Sequence, residues 1–381
     1  MARKKKEDPA VEGEDLPKDT PRQMVLMQSA AFKAIQKRFG TSILSIASEV
    51  EYRKVPRVSC GVASLDYALG GGWPLGRVNL VYGHKSSGKT TLMMLAMAEL
   101  QKICGNCYSP VGDNGSCTCG DWRDMVIAMI DVEGTFEAAW AESLGVDLKR
   151  LLVSQPDHAE QALDIMEGLI RSLSCDALFL DSVAFLTPTK EIEETTSKEN
   201  PGIAARVGGK GVRKFVSALN SVMNLEGWKP TVFLTNQIRM KVGVMFGSPE
   251  ILPGGLAWGF ATSTEVRLQT GKYQMDEDSG RPLYVTIPFR VDKNKTSPPR
   301  MEGDYKLILS DLEHKKTGQI ADEDFLISQC VRLGLLTGGG KSWKLLDATY
   351  ESKQLVLTAL EADPILRQKV RKIVLSILLA A

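Results

Sequence analysis

The chain has 381 residues, of which 43% are apolar, and its 47 basic side chains nearly balance 46 acidic ones. This length allows one large core with one or two smaller ones, and two or three domains are expected. The formal net charge of +1 restricts any nucleic-acid surface to a local patch. No run of about 18 apolar residues is present, which excludes a transmembrane helix. The charged start lacks the apolar segment of a signal peptide, so we expect a soluble, cytoplasmic protein with no membrane partner.

The first 58 residues divide into a tail and a small N-terminal element. Residues 1–21 are charged and proline-containing, which predicts a disordered tail. Apolar residues then recur at helical spacing between Arg22 and Phe39, and Gly40 is suited to end that helix. The N-terminal element is therefore predicted to span residues 22–58.

A glycine-rich loop joins an apolar strand at residues 78–82 to an apolar helix at residues 91–102. Two glycines let the backbone curl so that N–H groups point at phosphate oxygens, beside the positive N-terminus of the helix. Lys89 is placed to reach the β and γ phosphates, and the Thr90 hydroxyl to hold Mg²⁺. A chance match would lack the flanking strand and helix, so the loop predicts binding of a nucleoside triphosphate. Its residues are Gly83, His84, Lys85, Ser86, Ser87, Gly88, Lys89, Thr90 and Thr91.

Apolar strands alternate with helical stretches along the middle of the chain. This alternation predicts an α/β fold with a mainly parallel sheet flanked by helices. In such folds the ligand crevice lies at the carboxyl ends of the strands. The predicted strands are residues 77–82, 125–131, 150–153, 177–181 and 231–237.

Polar side chains end three of these strands. Asp181 follows a buried strand, where a Mg²⁺-organising carboxylate belongs, although a strand-end aspartate also serves as a simple cap. Glu133 could polarise a water for attack on the γ-phosphate, a role that the residues alone leave open. The Gln237 amide could sense the γ-phosphate, and the alternative is a hydrogen-bonded strand end.

Four cysteines cluster in residues 104–119 as Cys-x2-Cys and Cys-x-Cys. This spacing, across a turn rich in Gly, Pro, Asn and Ser, predicts a structural Zn²⁺ knuckle, with free surface cysteines or a redox pair as alternatives. The insertion is expected at the sheet edge opposite the nucleotide. Its predicted ligands are Cys104, Cys107, Cys117 and Cys119, whereas the isolated cysteines are expected in the core: Cys60, Cys175 and Cys330.

Several segments, in order, resemble the RecA family of bacterial homologous-recombination proteins. They include Ser59 to Gly70, the phosphate loop, Asp131-Val132-Glu133, the stretch from Thr235 to Glu250, and Asp292-Lys293-Asn294-Lys295. The resemblance implies a RecA-like phosphate-loop core at residues 59–309. It further implies that residues 22–58 serve subunit assembly and that residues 310–381 form a small α+β C-terminal domain.

The resemblance also assigns roles at the nucleotide. ATP and Mg²⁺ are the implied cofactors, with Glu133 as general base, Gln237 as γ-phosphate sensor and Trp140 in the place of an adenine-stacking aromatic. Lys293 and Lys295 would insert into the ATP site of the neighbouring subunit, where a cation stabilises the transition state only when protomers stack. One departure is that His84-Lys85 replaces the Pro-Glu common in this loop.

Two DNA loops are implied, at residues 191–205 and 238–255. In the second loop, an apolar run that lacks the periodicity of a core strand can separate bases. Basic side chains and backbone amides of the loop can bind the phosphates. For Arg206 and Arg213 the alternative is that they are solvated and do not contact DNA. For the second loop the alternative is that it packs against its own protein. The implied DNA-binding residues are Arg206, Gly209, Arg213, Arg239, Lys241, Val242, Met245, Phe246, Gly254 and Gly255.

The predicted function is that of an ATP-dependent recombinase in DNA repair. It would form a filament on single-stranded DNA, exchange that strand into homologous double-stranded DNA, and act as a DNA-dependent ATPase. One alternative is a non-catalytic RecA-like accessory protein that modulates a partner filament. Another is a hexameric motor built on the RecA core.

Overall fold

The computed structural model comprises two units, residues 1–54 and residues 55–381. In the first unit only residues 29–39 are described, and they contain helix α1 (Ala30–Phe39), which ends at the predicted residue. The predicted tail and the start of the predicted helix lie outside the described residues. The structure describes residues 29–39, 55–111, 117–189, 202–223, 230–240, 249–254 and 256–380.

The second unit contains helices α2 to α10 among its described residues. They are α2 (Ala63–Leu69), α3 (Lys89–Leu100), α4 (Ala138–Ser143), α5 (Ala159–Arg171), α6 (Gly202–Met223), α7 (Leu256–Ala261), α8 (Glu323–Arg332), α9 (Lys353–Ala362) and α10 (Pro364–Ala380). Helices α9 and α10 are separate, because Pro364 cannot continue α9 but suits the first position of α10. None of the described helices is long and apolar enough to cross a membrane.

The described strands are numbered β1 to β17 along the chain. They are β1 (Arg57–Val58), β2 (Trp73–Pro74), β3 (Val78–Gly83), β4 (Ile127–Asp131), β5 (Leu151–Ser154), β6 (Ala177–Asp181), β7 (Thr231–Gln237), β8 (Arg239–Met240), β9 (Glu250–Ile251), β10 (Thr264–Leu268), β11 (Lys272–Met275), β12 (Pro282–Asn294), β13 (Glu302–Ile308), β14 (Ile320–Ala321), β15 (Leu336–Gly339), β16 (Ser342–Leu345) and β17 (Ala348–Tyr350).

A ten-stranded sheet forms the centre, in the order β14-β13-β12-β10-β3-β7-β6-β4-β5, with β11 paired to β12. The run from β10 to β5 is parallel, which confirms the predicted α/β fold. Strands β11 to β14 extend it as an antiparallel meander that the sequence pattern did not predict. Parallel strands that are covered on both faces form continuous apolar runs in the sequence, and this explains why the sequence predicted them.

Two apolar clusters cover the two faces of this sheet. On one face α3 packs on β4, β6 and β7, where the Phe179 and Phe233 rings stack 4.4 Å apart. On the other face α5 and α6 pack on the alternate residues of the same strands, among them Leu178 and Leu234. The sheet is therefore held rigidly, and its carboxyl ends are fixed in space.

A third cluster joins the C-terminal helices to the rest of the unit. Buried residues of α8, α9 and α10 pack together with Ala63 of α2. Arg371 of α10 also donates to Asp66 of α2 at 2.7 Å, and it lies 3.4 Å from Asp322. The division of the chain into a core and a C-terminal domain stays a prediction.

Candidate functional site

The phosphate loop follows β3 and requires glycine at two positions. A Cβ on Gly83 would lie 2.3 Å from the Leu268 carbonyl oxygen, so any side chain there would push β3 from β10. Gly88 has φ +86, a left-handed conformation that other residues rarely adopt. Helix α3 then begins at Lys89, so its N-terminal N–H groups face the loop.

Lys89 and Ser87 are buried inside this loop. Lys89 is 7% exposed, and its Nζ donates to the backbone oxygen of His84 at 2.7 Å. Burial lowers the pKa of Lys89, since a charged amine is disfavoured away from water. The Ser87 hydroxyl is buried and has no hydrogen-bond partner among the described residues. These polar groups fit the phosphates of a nucleotide, which would supply the partner that Ser87 lacks.

Asp181, at the carboxyl end of β6, faces the start of α3. Its carboxylate accepts a hydrogen bond from the Thr90 hydroxyl at 2.6 Å and is only 3% exposed. The Thr235 hydroxyl of β7 donates to the other carboxylate oxygen. Oxygen ligands of this kind suit Mg²⁺. No role for Thr235 was predicted from the sequence, although a hydroxyl that directly follows the apolar run Val232-Phe233-Leu234 was a usable signal.

The loop after β4 is folded around Asp131. The Asp131 carboxylate accepts from the backbone N–H groups of Gly134 at 2.9 Å and Phe136 at 3.1 Å, and from Gln155 Nε2 at 3.1 Å. The Val132 N–H donates to the Asp181 backbone oxygen at 2.9 Å. These contacts bring Glu133, the residue after Val132, to the same end of the sheet as Asp181. Roles for Asp131 and Gln155 were not predicted.

Glu133 and Gln237 meet across this crevice. Gln237 Nε2 lies 3.3 Å from Glu133 Oε1, although the residues are 104 positions apart in the chain. Burial, and next the charge of Asp181, raise the pKa of Glu133 above its ordinary value. A raised pKa makes a carboxylate a better proton acceptor, as a general base requires. The structure therefore brings the predicted base and the predicted sensor together.

Trp140 lies beside the same helix start. Its Nε1 donates to the Thr91 hydroxyl at 3.3 Å, and its ring packs partly on the core. Thr91 directly follows Thr90, so the Trp140 indole lies close to the start of α3. Adenine stacking by Trp140 stays a prediction.

Lys293 and Lys295 lie beside the amino end of β10, at the end of the sheet opposite the phosphate loop. Lys293 pairs in register with Glu265 at the start of β10, and its Nζ donates to Thr262 at 3.1 Å. Glu265 in turn pairs with Leu80 of β3, three residues before Gly83, so the phosphate loop begins about 10 Å further along the strand. Neither lysine is therefore placed at the chain's own phosphate loop.

The predicted DNA-binding residues are only partly described. The structure begins α6 at Gly202, so residues 202–205 of the first predicted loop are helical, and Arg206, Gly209 and Arg213 lie on that helix. The Arg213 side chain is exposed, whereas that of Arg206 lies outside the described part of the structure. The residues of the first loop before the helix are also undescribed, as are Lys241, Val242, Met245, Phe246 and Gly255.

Both ends of the second predicted loop are fixed. Strands β8 and β9 pair, with Arg239 opposite Ile251 and Met240 opposite Glu250. Arg239 Nη2 donates to the Ala184 oxygen at 3.3 Å. Gly254 has φ +86, and a Cβ there would lie 2.7 Å from Val183. The DNA roles of these residues stay predictions.

The cysteine cluster forms a compact group of sulfurs. The four Sγ atoms lie within 4.8 Å of one another, and those of Cys104 and Cys119 are 3.8 Å apart. Thiolates that surround zinc tetrahedrally at about 2.3 Å are about 3.8 Å apart. The backbone N–H of Asn106 donates to Cys104 Sγ at 3.4 Å, and that of Ser109 lowers the pKa of Cys107 to about 5. This donor set fits a structural metal. The isolated cysteines Cys60, Cys175 and Cys330 are buried, as predicted.

Arg123 attaches this insertion to the sheet. Its guanidinium pairs with the Asp176 carboxylate at 2.6 and 2.7 Å and donates to the Gly105 oxygen at 2.9 Å. Asp176 directly precedes β6, so the contact lies at the amino end of the strand that carries Asp181 at its other end. The insertion therefore lies at the amino end of β6, on the side of the sheet opposite the phosphate loop, as predicted.

Fold and site together define a nucleoside-triphosphate-binding protein of the phosphate-loop class, in which the Glu133 carboxylate after β4 and the Gln237 amide at the end of β7 meet across the end of β6. The sequence model of the RecA N-terminal domain matches residues 26–110 and 119–312. The chain is 37% identical to Protein RecA of Thermotoga maritima over 74% of this chain and 72% of that one. It is 37% identical to the RecA of Sulfurimonas denitrificans over 81% and 80%. Identity to the RecA of Leptospira biflexa is 35% over 90% and 78%. The chain belongs to the RecA family, and this similarity supports a RecA recombinase function.

Proposed function

We propose that this protein is a DNA-dependent ATPase that forms a filament on single-stranded DNA and exchanges that strand into homologous duplex. The observation that carries the proposal is the contact between Gln237 and Glu133. Strand β7 ends at Gln237 and leads directly into β8, the first strand of the predicted DNA loop. The chain therefore runs from Gln237, the proposed γ-phosphate sensor, into a segment proposed to touch DNA.

The chemistry at the site follows from the residues already placed. Bound ATP with Mg²⁺ supplies the γ-phosphoryl group that is transferred to water. Lys89 would neutralise phosphate charge, and Thr90 and Asp181 would hold the ion. Glu133 orients the attacking water and accepts its proton. Gln237 donates from its amide, so the loss of the γ-phosphate changes the partners available to it.

Strand exchange is the direct test of this proposal. The protein should pair a circular single strand with a homologous linear duplex when ATP and Mg²⁺ are present, and a heterologous duplex should give no product. Lys89→Ala is the matched negative control, because it removes the phosphate-binding amine. DNA-stimulated ATP hydrolysis without strand exchange would instead favour a RecA-core motor, and the absence of both would favour the non-catalytic accessory protein.

Shared active sites give a second test. The positions of Lys293 and Lys295 support their action on a neighbouring subunit's nucleotide, because their own phosphate loop is at the opposite strand end. Replacing both by alanine should abolish DNA-stimulated hydrolysis while nucleotide binding remains, because the transition-state cations are lost. Lys102→Ala with Lys149→Ala removes two exposed lysines as a control. Normal hydrolysis by the Lys293 and Lys295 variant on single-stranded DNA would contradict the shared site.

Phosphate contacts by α6 are tested through salt dependence. Arg213 is exposed on this helix. If it neutralises one phosphate of a single strand, Arg213→Ala should reduce the slope of log affinity against log salt by about 0.7. Arg171→Ala, on α5 and paired with Glu167 at 2.8 Å, is the control. Equal slopes for the parent protein and the Arg213 variant would place this arginine away from the DNA.

The cysteine cluster is proposed to bind one structural Zn²⁺. The supporting observations are the four converging sulfurs and the N–H donors to them. Because the cluster attaches to the amino ends of the strands, its role is to fold the insertion rather than to take part in hydrolysis. The cytoplasmic location stays a prediction.

A further inference from the structure

His84 connects the phosphate loop to β9, the second strand of the second predicted DNA loop. Its Nε2 lies 3.5 Å from Oε1 of Glu250, the first residue of β9. Glu250 is itself held by Arg267 of β10 through two hydrogen bonds of 2.8 Å. Arg267 pairs in register with Tyr82 of β3, just before the phosphate loop. The carboxylate that His84 contacts is therefore fixed relative to the sheet.

The backbone of His84 holds the lysine of the nucleotide site. Its carbonyl oxygen accepts the hydrogen bond from Lys89 Nζ at 2.7 Å. Lys89 is the side chain that binds phosphate in loops of this kind. A bound triphosphate would compete with the His84 oxygen for the N–H groups of Lys89. The backbone of His84 would therefore respond to nucleotide, while its side chain touches β9.

Strands β8 and β9 form a short antiparallel stem, and both of its strands are tied to the phosphate loop. The N–H of Ile238, directly before β8, donates to the Gly83 oxygen at 3.0 Å. Glu250 of β9 contacts His84, the next residue of the loop. Two consecutive loop residues thus hold the two sides of the stem. The His84 contact is separate from that of Gln237, which reaches the nucleotide site through Glu133.

We propose that His84 is a positioning residue that transmits nucleotide occupancy from the phosphate loop to the β8–β9 stem through Glu250. It thereby sets how strongly ATP raises the affinity for single-stranded DNA. The inference rests on the proposed function, because the sequence between β8 and β9 must contact DNA for the effect to be seen. The family resemblance places proline at this position, and proline has no side-chain donor for such a contact.

The test compares the affinity for a fluorescent oligothymidylate at saturating slowly hydrolysed ATP analogue with the affinity in the absence of nucleotide. His84→Ala should reduce the ratio of these affinities by about fivefold or more, the usual size of coupling between two sites. Saturation removes any contribution from weaker nucleotide binding. His84→Gln, whose amide can donate to Glu250, should retain most of the ratio. His314→Ala is the matched control, since His314 lies 3.8 Å from Glu313 elsewhere on the surface.

A double-mutant cycle then isolates the contact. Glu250→Gln should reduce the ratio as His84→Ala does, and the two changes together should cost no more than either alone. An unchanged ratio in His84→Ala, or losses that add fully, would overturn the role of His84 while leaving the proposed function intact. A parent protein that binds no single-stranded DNA at either condition would instead reject the proposed function, and the inference with it.

Discussion

Glu133→Gln should slow ATP turnover by about 10²- to 10⁴-fold, the usual contribution of a general base. The amide is close in size to the carboxylate but cannot accept the proton of the attacking water. The Asp131 contacts that shape the loop do not involve the Glu133 side chain, so the site should keep its geometry. ATP and single-stranded DNA should still bind. Steady-state hydrolysis on single-stranded DNA, with nucleotide affinity measured separately, checks the prediction.

The control for this variant is Glu313→Gln, because the Glu313 side chain is 88% exposed and distant in sequence from every residue of the site. It should hydrolyse ATP at the parent rate. Turnover of the Glu133 variant at the parent rate would remove this residue from the mechanism. A variant that loses ATP affinity in proportion to its rate would show that Glu133 acts in binding instead.

Replacing Cys117 and Cys119 by serine should release one zinc per chain. Structural thiolate sites contribute about 10–16 kcal/mol of metal-binding free energy at neutral pH, and two of the four ligands would be lost. Hydrolysis should persist, because the insertion contacts the amino end of β6 and Asp181 lies at its carboxyl end. Elemental analysis of protein purified under reducing conditions, with ATPase assays of the same samples, provides the measurement.

Cys330→Ala is the matched thiol control, since Cys330 is buried in the C-terminal cluster away from the four sulfurs. It should retain the zinc of the parent protein. Reduced parent protein without metal would reject the zinc site. Loss of all hydrolysis together with zinc would show that the Arg123–Asp176 attachment supports the catalytic strand more directly.

The local sequence determined the elements of the nucleotide site. The phosphate loop, the strand that ends at Asp181 and the strand from Thr231 to Gln237 were predicted with nearly the observed bounds. These features can be recognised locally, because each signal lies within a few consecutive residues. The signals are apolar runs, glycines that permit special backbone conformations, and polar residues at strand ends. The spacing of the four cysteines was informative for the same reason.

Tertiary structure alone decided which side chains meet. Glu133 and Gln237 are 104 residues apart, and only the strand order β7-β6-β4 brings them together. The antiparallel strands β11 to β14 escaped prediction because half-buried strands carry a weaker apolar signal than strands buried on both faces. The contact of His84 with Glu250 likewise depends on β10 lying beside β3, a pairing that no periodicity encodes. Sequence patterns specify elements, whereas the packing of distant strands specifies the site.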